Sequence, residues 1–238
     1  MTIRVGVGGW TFAPWRGTFF PKKLPQKQEL HYASRQLTAI EVNGTYYRTQ
    51  TPDTFAHWHD ETPDDFVFTL KGPRYTTNRR VLAEAGPSVG RFLDSGIARL
   101  RGKLGPINWQ FLPTKTYDPE DFEAFLALLP RDLRHVVEVR HPSFDTPAFL
   151  DLARRHGVGV VMTDNPEYPR FTDSTAPFVY TRLQCAAEAE PLGYSEDDLD
   201  TWAKWVTGRP EKDVFLFFIN GFKPHAPAAA TALLDRLR

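Results

Sequence analysis

Glu138 and Arg140 stand two residues apart at the end of the apolar run Val136–Arg140. A strand sends i and i+2 to the same face, so these opposite charges share one side. Four other runs also end on polar or charged residues: Ile40-Glu41-Val42-Asn43, Phe68-Thr69-Leu70-Lys71, Val160-Val161-Met162-Thr163-Asp164 and Phe178-Val179-Tyr180-Thr181-Arg182. A charge carried into the interior without a partner is strongly unfavourable. Its recurrence at strand ends, in phase with core residues, predicts a shared polar site. Where parallel strands end together around a barrel, that site is the mouth at their C-terminal ends.

The residues assigned to the mouth are Glu41, Asn43, Lys71, Gln110, Glu138, Arg140, Asp164, Arg182 and Asn220. Carboxylates act as general acid, general base or metal ligand, which makes Glu41, Glu138 and Asp164 the candidate catalytic groups. Arginine and lysine hold phosphate or carboxylate, arginine through planar two-point contact. Lys71, Arg140 and Arg182, with Arg74 from a basic loop, are therefore candidate anion-binding groups. Asn43, Gln110 and Asn220 complete the substrate-binding set. Trp10 and Tyr46 fall just past the first two runs and could stack on a sugar or base, or lid the barrel. The blend points to a small anionic or phosphorylated ligand, a sugar phosphate being one class. The same charges could instead neutralise one another in an ion-pair network that closes the barrel end. Because three carboxylates share the mouth, the expectation is mutual repulsion, relieved in Glu138→Gln.

No metal site is assigned. Glu41, Glu138 and Asp164 could offer oxygens to magnesium or manganese, a reading not favoured, and the cofactor is left open. His141 follows Arg140 and should point to the opposite face, while His57 and His59 lie two apart on a helix and do not face together. Gly6, Gly8 and Gly9 lack the third, helix-opening glycine of a dinucleotide fingerprint. Cys185 has no histidine placed to activate it and reads as a plain buried thiol.

Eight strands must position these residues: Ile3–Gly8, Ala39–Asn43, Phe66–Lys71, Ile107–Phe111, Val136–Arg140, Val158–Asp164, Phe178–Leu183 and Val214–Asn220. Most are near-continuous apolar runs, as in parallel strands buried on both faces. Helical stripes lie between most of them. Thr51-Pro52, Asp118-Pro119 and Thr146-Pro147 read as N-caps with proline in the first turn. Ser88 reads as the cap of a segment running to Leu100, and Ser195 as the start of a capping box. A last helix takes Ala228 to Leu237. Residues 165–177 hold three prolines and no helical stripe, so a loop should replace one outer helix. The fold expected is a single α/β domain over 1–238, a TIM-like (β/α)8 barrel, with an open doubly wound sheet as the alternative.

The chain has 238 residues and equal counts of basic and acidic side chains, 29 each. Zero net charge argues against strong non-specific nucleic-acid binding and allows weak contact at most. One cysteine permits no internal disulfide, which suits a reducing cytosol. The opening MTIRVGVGGW has no signal-like apolar stretch, and no run approaches the roughly 18 apolar residues of a membrane helix. A cytoplasmic location without a membrane partner is the expectation; oligomeric state is left open.

Several motifs resemble a known family in order along the chain. They are Gly8-Gly9-Trp10 with Pro14-Trp15, Gly17 and Phe20-Pro21; Glu41-Val42-Asn43 with Thr45-Tyr46-Tyr47-Arg48; and Trp58 with Thr62-Pro63, Phe66, Phe68 and Lys71. Gln110-Phe111-Leu112-Pro113, Glu138-Val139-Arg140-His141, Asp164, Trp202-Ala203 and Phe218–Asn220 continue the series. Together they resemble the domain of unknown function 72 family, the YecE-like proteins. The resemblance implies a TIM-like barrel and no particular reaction. The chain departs from the family pattern at Thr76-Thr77-Asn78, Pro113-Thr114-Lys115, Gln184 and Asn220-Gly221, so no catalytic role is placed on histidine there. From the residues themselves, the leading reading is an enzyme, hydrolase- or isomerase-like, acting on a small phosphorylated or anionic substrate by carboxylate acid–base chemistry. The alternative is a non-catalytic binding protein for nucleic acid or a phosphorylated ligand.

Overall fold

The computed structural model describes residues 2–211 and 213–238. Nine strands form one sheet, with every pairing parallel: β1 (Thr2–Gly8), β2 (Ala39–Val42), β3 (Val67–Lys71), β4 (Leu104–Gln110), β5 (His135–Glu138), β6 (Gly159–Val160), β7 (Met162–Thr163), β8 (Phe178–Leu183) and β9 (Asp213–Phe218). Their order is β6-β5-β4-β3-β2-β1-β9-β8-β7. The two ends of that order are pieces of one segment, separated by Val161. The first piece pairs with β5 and the second with β8, so the sheet returns on itself as a TIM-like barrel. The expected sixth strand is thus present but changes partner at its middle. The expected ends at Asn43, Phe111, Arg140 and Asn220 lie just beyond the ladders.

One buried cluster is made of strand residues and their immediate continuations: Ala39, Val67, Val136, Val161, Phe178, Tyr180, Phe215, Phe217 and Ile219. It fills the barrel. The alternate strand residues, such as Ile40, Phe68, Ile107, Val137 and Leu216, join a larger cluster with the outer helices. Followed by twos, the inward positions change from apolar to polar: Ala39 to Glu41, Val67 to Thr69 to Lys71, Val136 to Glu138, and Phe178 to Tyr180 to Arg182. The barrel is therefore oily at its N-terminal end and ionic at its C-terminal end.

The principal helices are α1 (Glu29–Gln36), α2 (Gly44–Tyr47), α3 (Pro52–Glu61), α4 (Arg74–Thr77), α5 (Gly86–Leu93), α6 (Pro119–Ala127), α7 (Pro147–His156), α8 (Glu196–Thr207) and α9 (Ala226–Arg236). The caps read from sequence form. Thr51 accepts from the Thr54 amide, Asp118 from Glu120 and Asp121, Thr146 from Phe149, and Ser195 from Asp198. Ser88 is different. It lies inside α5, buried, and its hydroxyl donates to the Ala85 carbonyl. The stripe expected to run on to Leu100 ends at Leu93, and after Gly96 a 3-10 segment (Ile97–Lys103) takes over. Helix α1 starts without a capping side chain, which removes the usual sequence marker. Buried Lys103 donates to the carbonyls of His59 and Thr62, closing the C-terminal end of α3. Residues 165–177 hold neither helix nor strand, as expected. Phe171 anchors this loop in the core beside Phe149.

Candidate functional site

Six of the assigned residues converge at the C-terminal end of the barrel. Arg182 is their centre. Its Nε and Nη2 donate to the two oxygens of Glu41, each at 3.0 Å. Its Nη1 donates to Oε2 of Glu138 at 2.6 Å. The other oxygen of Glu138 accepts from Arg140 Nε at 3.0 Å and Nη2 at 2.7 Å. Gln110 donates to Glu138 at 2.9 Å and accepts from the Lys71 ammonium at 2.7 Å. Glu41, Arg182 and Glu138 are 0, 2 and 4% exposed, so these pairings replace water almost completely.

Three residues that the sequence reading passed over complete the cluster. The Tyr180 hydroxyl donates to Glu41 Oε2 at 2.7 Å and meets the Thr69 hydroxyl at 2.9 Å. The Asn108 amide donates to both Glu41 and Glu138 at 3.3 Å, while its buried Oδ1 has no partner. Each stands two residues before an assigned one: Thr69 before Lys71, Asn108 before Gln110, Tyr180 before Arg182. The period of two was the available signal.

Charge is not balanced in this cluster. Lys71, Arg140 and Arg182 oppose only Glu41 and Glu138. Burial alone would raise the pKa of Glu138, but Arg182, Arg140 and Lys71 outweigh it and hold the carboxyl at about 2. The repulsion expected among the carboxylates is therefore corrected: cations dominate the field at Glu138. Burial and the neighbouring Arg182 push Lys71 down to about 8. Its ammonium bonds to the neutral Gln110 amide and lies 4.3 Å from the Tyr46 ring centroid. Burial opposes the charge of Arg182, but Glu138 and Glu41 reverse the balance and raise its pKa.

Asp164 does not join the cluster, which corrects its assigned phase. Thr163 is in register with Arg182, and paired residues of a ladder share a face. Asp164 thus takes the opposite face. Its carboxylate accepts from the amides of Gln184 at 2.6 Å and Cys185 at 3.3 Å and from the Tyr194 hydroxyl at 2.7 Å. The run from Val158 to Met162 is apolar or glycine throughout, so no alternation betrayed which set faces inward. Cys185 is exposed rather than buried, and partial burial with the Asp164 carboxylate pushes its thiol up to about 11. Among the described residues, no three His, Cys, Asp or Glu side chains gather as a metal-ligating group.

The remaining assigned residues lie around the rim. Arg74 is exposed, with its guanidinium 5.7 Å from the Tyr47 ring, and Asn220 is exposed beyond β9. Arg140 is half-buried and faces the Tyr168 ring at 4.8 Å, which ties the 165–177 loop to the cluster. Trp10 and Asn43 line a cavity of about 460 Å³ beside the cluster. Lys223 lines it too and had no sequence signal, because it opens a 3-10 turn (Lys223–His225) beyond the last strand. Its ammonium lies 4.8 Å from the Phe12 ring and 5.6 Å from Trp15, and burial lowers its pKa against the pull of Glu41.

No helix of the described residues is long and apolar enough to cross a membrane. Comparison with known proteins agrees with the architecture. A crystal structure of a DUF72 family protein from Thermotoga maritima is 26% identical, with a TM-score of 0.79, covering 98% of this chain and 97% of that one. A DUF72 family protein from Enterococcus faecalis is 19% identical, with a TM-score of 0.78, covering 99% and 95%. The UPF0759 protein YecE of Escherichia coli is 30% identical over 145 residues, which are 60% of this chain and 50% of that protein. The chain thus spans about half the length of this curated relative. The family model described as "Protein of unknown function DUF72" matches residues 4–238, and the chain belongs to that family.

Proposed function

We propose that the barrel mouth binds a small anionic or phosphorylated substrate, and that Lys71 rather than a carboxylate moves the proton in an acid–base reaction on it. The observation that carries this reading is the cationic excess: three cations stand against two carboxylates, and Lys71 is bonded to a neutral amide. An anion beside Arg140 and Lys71 would complete the charge balance. Glu138, held at about 2, stays ionised at neutral pH and makes a poor proton carrier, whereas Lys71 at about 8 lies near the working range. Glu41 and Glu138 then serve to hold Arg182 and Arg140 in place. Metal chemistry draws no support here, because a net positive site repels a cation.

Thermal denaturation with phosphate, sulfate and sugar phosphates tests the binding step. A ligand at ten times its Kd stabilises the folded state by about 1.4 kcal/mol through mass action. Stabilisation by phosphate that disappears in Arg140→Ala is expected. No shift at millimolar concentrations of any of these anions would overturn the reading.

A further inference from the structure

The cavity beside the ionic cluster has a chemistry of its own. Its floor is Gly8 and Gly9, at the end of β1. Gly9 has φ 74°, in the left-handed region, and a Cβ there would meet nothing within 4 Å. A Cβ on Gly8 would come within 2.8 Å of the Asn43 amide nitrogen. The two glycines therefore keep an open floor and leave Asn43 its position. One wall is indole. Trp10 and Trp58 meet edge to face with centroids 5.2 Å apart, and both line the space. The lining also offers amides, from Asn43, Gln26 and Gln50, and the cations Arg48 and Lys223. At about 460 Å³ the cavity falls within the roughly 300–1,000 Å³ usual for small-ligand sites.

Each part of this lining matches one feature of a sugar. A pyranose or furanose ring has a face of C–H groups, which an indole covers, and a rim of hydroxyls that both donate and accept. Primary amides do the same, with an NH2 that donates and a carbonyl that accepts. The Asn43 side chain makes no capping bond to α2, although it occupies the N-cap position, so its amide is not committed to that helix. The two cations, Arg48 and Lys223, add donors that hydroxyl oxygens accept. Lys223 is half-buried and its ammonium lies against the Phe12 and Trp15 rings, so it is positioned rather than freely solvated.

We infer that this cavity is a monosaccharide subsite, and that the ligand of the barrel mouth is a single sugar unit bearing one anionic group, phosphate or carboxylate. The inference rests on the anion reading above and adds the part of the ligand that carries no charge. Asn43, Gln26 and Gln50 would hold the hydroxyls, with Lys223 and Arg48 as further donors to them, and Trp10 and Trp58 the ring face, while the anion goes to Arg140 and Lys71 in the cluster. A site built from hydrogen-bonding side chains also discriminates strongly, because an analogue lacking a hydroxyl leaves them unpaired.

The test is calorimetric titration of the whole chain with a fixed panel: glucose 6-phosphate, fructose 6-phosphate, ribose 5-phosphate, glucuronate, uncharged glucose and inorganic phosphate. At least one acidic sugar should bind ten or more times tighter than inorganic phosphate (order of magnitude, about one full decade in Kd). Asn43→Ala should erase that margin while phosphate affinity stays unchanged. Trp10→Phe should reduce the margin and keep the fold; circular dichroism verifies the fold of both variants. Phosphate binding as tightly as every acidic sugar overturns the sugar subsite and leaves the anion reading standing. An acidic-sugar margin that Asn43→Ala and Trp10→Phe both leave intact overturns the placement in this cavity. Absence of binding by phosphate and by the whole panel overturns both readings together. Comparing glucuronate with the sugar phosphates separates a carboxylate from a phosphate as the anionic group.

Discussion

Arg182 bridges two carboxylates from opposite sides of the barrel, and little water reaches any of the three. Glu138 is therefore the partner of two guanidinium groups at once. Its replacement in Glu138→Gln should cost about 3–5 kcal/mol, the usual consequence of leaving a buried charge short of its partner. Denaturant midpoints for Glu138→Gln, Arg140→Met and the double variant check this. The double variant should recover only part of the loss, because Arg182 still lacks one of its two carboxylate partners. A Glu138→Gln protein as stable as wild type would refute the structural role. The pH dependence has a definite sign. The Glu138 carboxyl lies below its ordinary 4.5, at about 2, so its contribution is full above that ordinary value and is lost as pH falls through about 2. Lys71 acts the other way. Its folded pKa of about 8 lies below 10.5, so the unfolded chain binds more protons between these values. The penalty is complete below about 8 and fades as pH rises to 10.5. Wild type should therefore gain on Lys71→Met by up to about 3 kcal/mol across that window, at ~1.36 kcal/mol per pKa unit. Parallel midpoint curves for the two proteins from neutral pH to 10.5 would rule the shift out.

Among the elements, the junction after α5 is tightly constrained. Gly96 has φ 105°, and a Cβ there would come within 2.6 Å of Pro52 Cα, at the start of α3. Both backbone strain and collision oppose any side chain. Gly96→Ala should lower stability by about 1–3 kcal/mol, measured by denaturant unfolding, whereas Gly157→Ala should cost less. Gly157 ends α7 with φ 66°, but a Cβ there meets no atom within 4 Å. An equal loss at both positions would show that the contact with Pro52 contributes nothing. The proline-marked helices were legible because Thr51, Asp118 and Thr146 are real caps, each followed by proline. Helix α1 was not, since Gln28 offers no capping bond.

At the scale of the molecule, the sheet closes through one segment that serves two partners. Val160 is paired with Val137, and Thr163 with Arg182. The Val161 amide donates to the Val137 carbonyl at 3.0 Å, which carries the ladder across the break. Closure turns Arg182 of β8 toward Glu138 of β5 and Glu41 of β2 across the barrel interior, and so makes the ionic cluster. The net charge of the whole chain is zero, which leaves no long-range attraction for a polyanion. Fluorescence anisotropy with a labelled DNA duplex should show binding that weakens steeply between about 50 and 200 mM salt, as counterion release requires. Tight binding that persists at physiological salt would contradict this and revive the nucleic-acid reading.

The sequence by itself determined the barrel and the polar end of it. Parallel strands buried on both faces write themselves as apolar runs, and the helices between them carry their own caps. A charge at the end of such a run must face a site or a partner, so Glu41, Lys71, Glu138, Arg140 and Arg182 were identifiable before any coordinates. What the sequence could not determine was who pairs with whom. Glu41 and Arg182 are 141 residues apart, and only closure of the sheet brings them into contact. The choice of face for Asp164 was equally hidden, because a run that is apolar on both sides has no visible phase; the register of Thr163 against Arg182 decided it. Tertiary structure also decided how the cluster ionises. Arg182, 44 residues from Glu138 in sequence, joins Arg140 and Lys71 in outweighing burial to hold the Glu138 carboxyl down, and burial together with Arg182 brings the Lys71 ammonium toward neutrality.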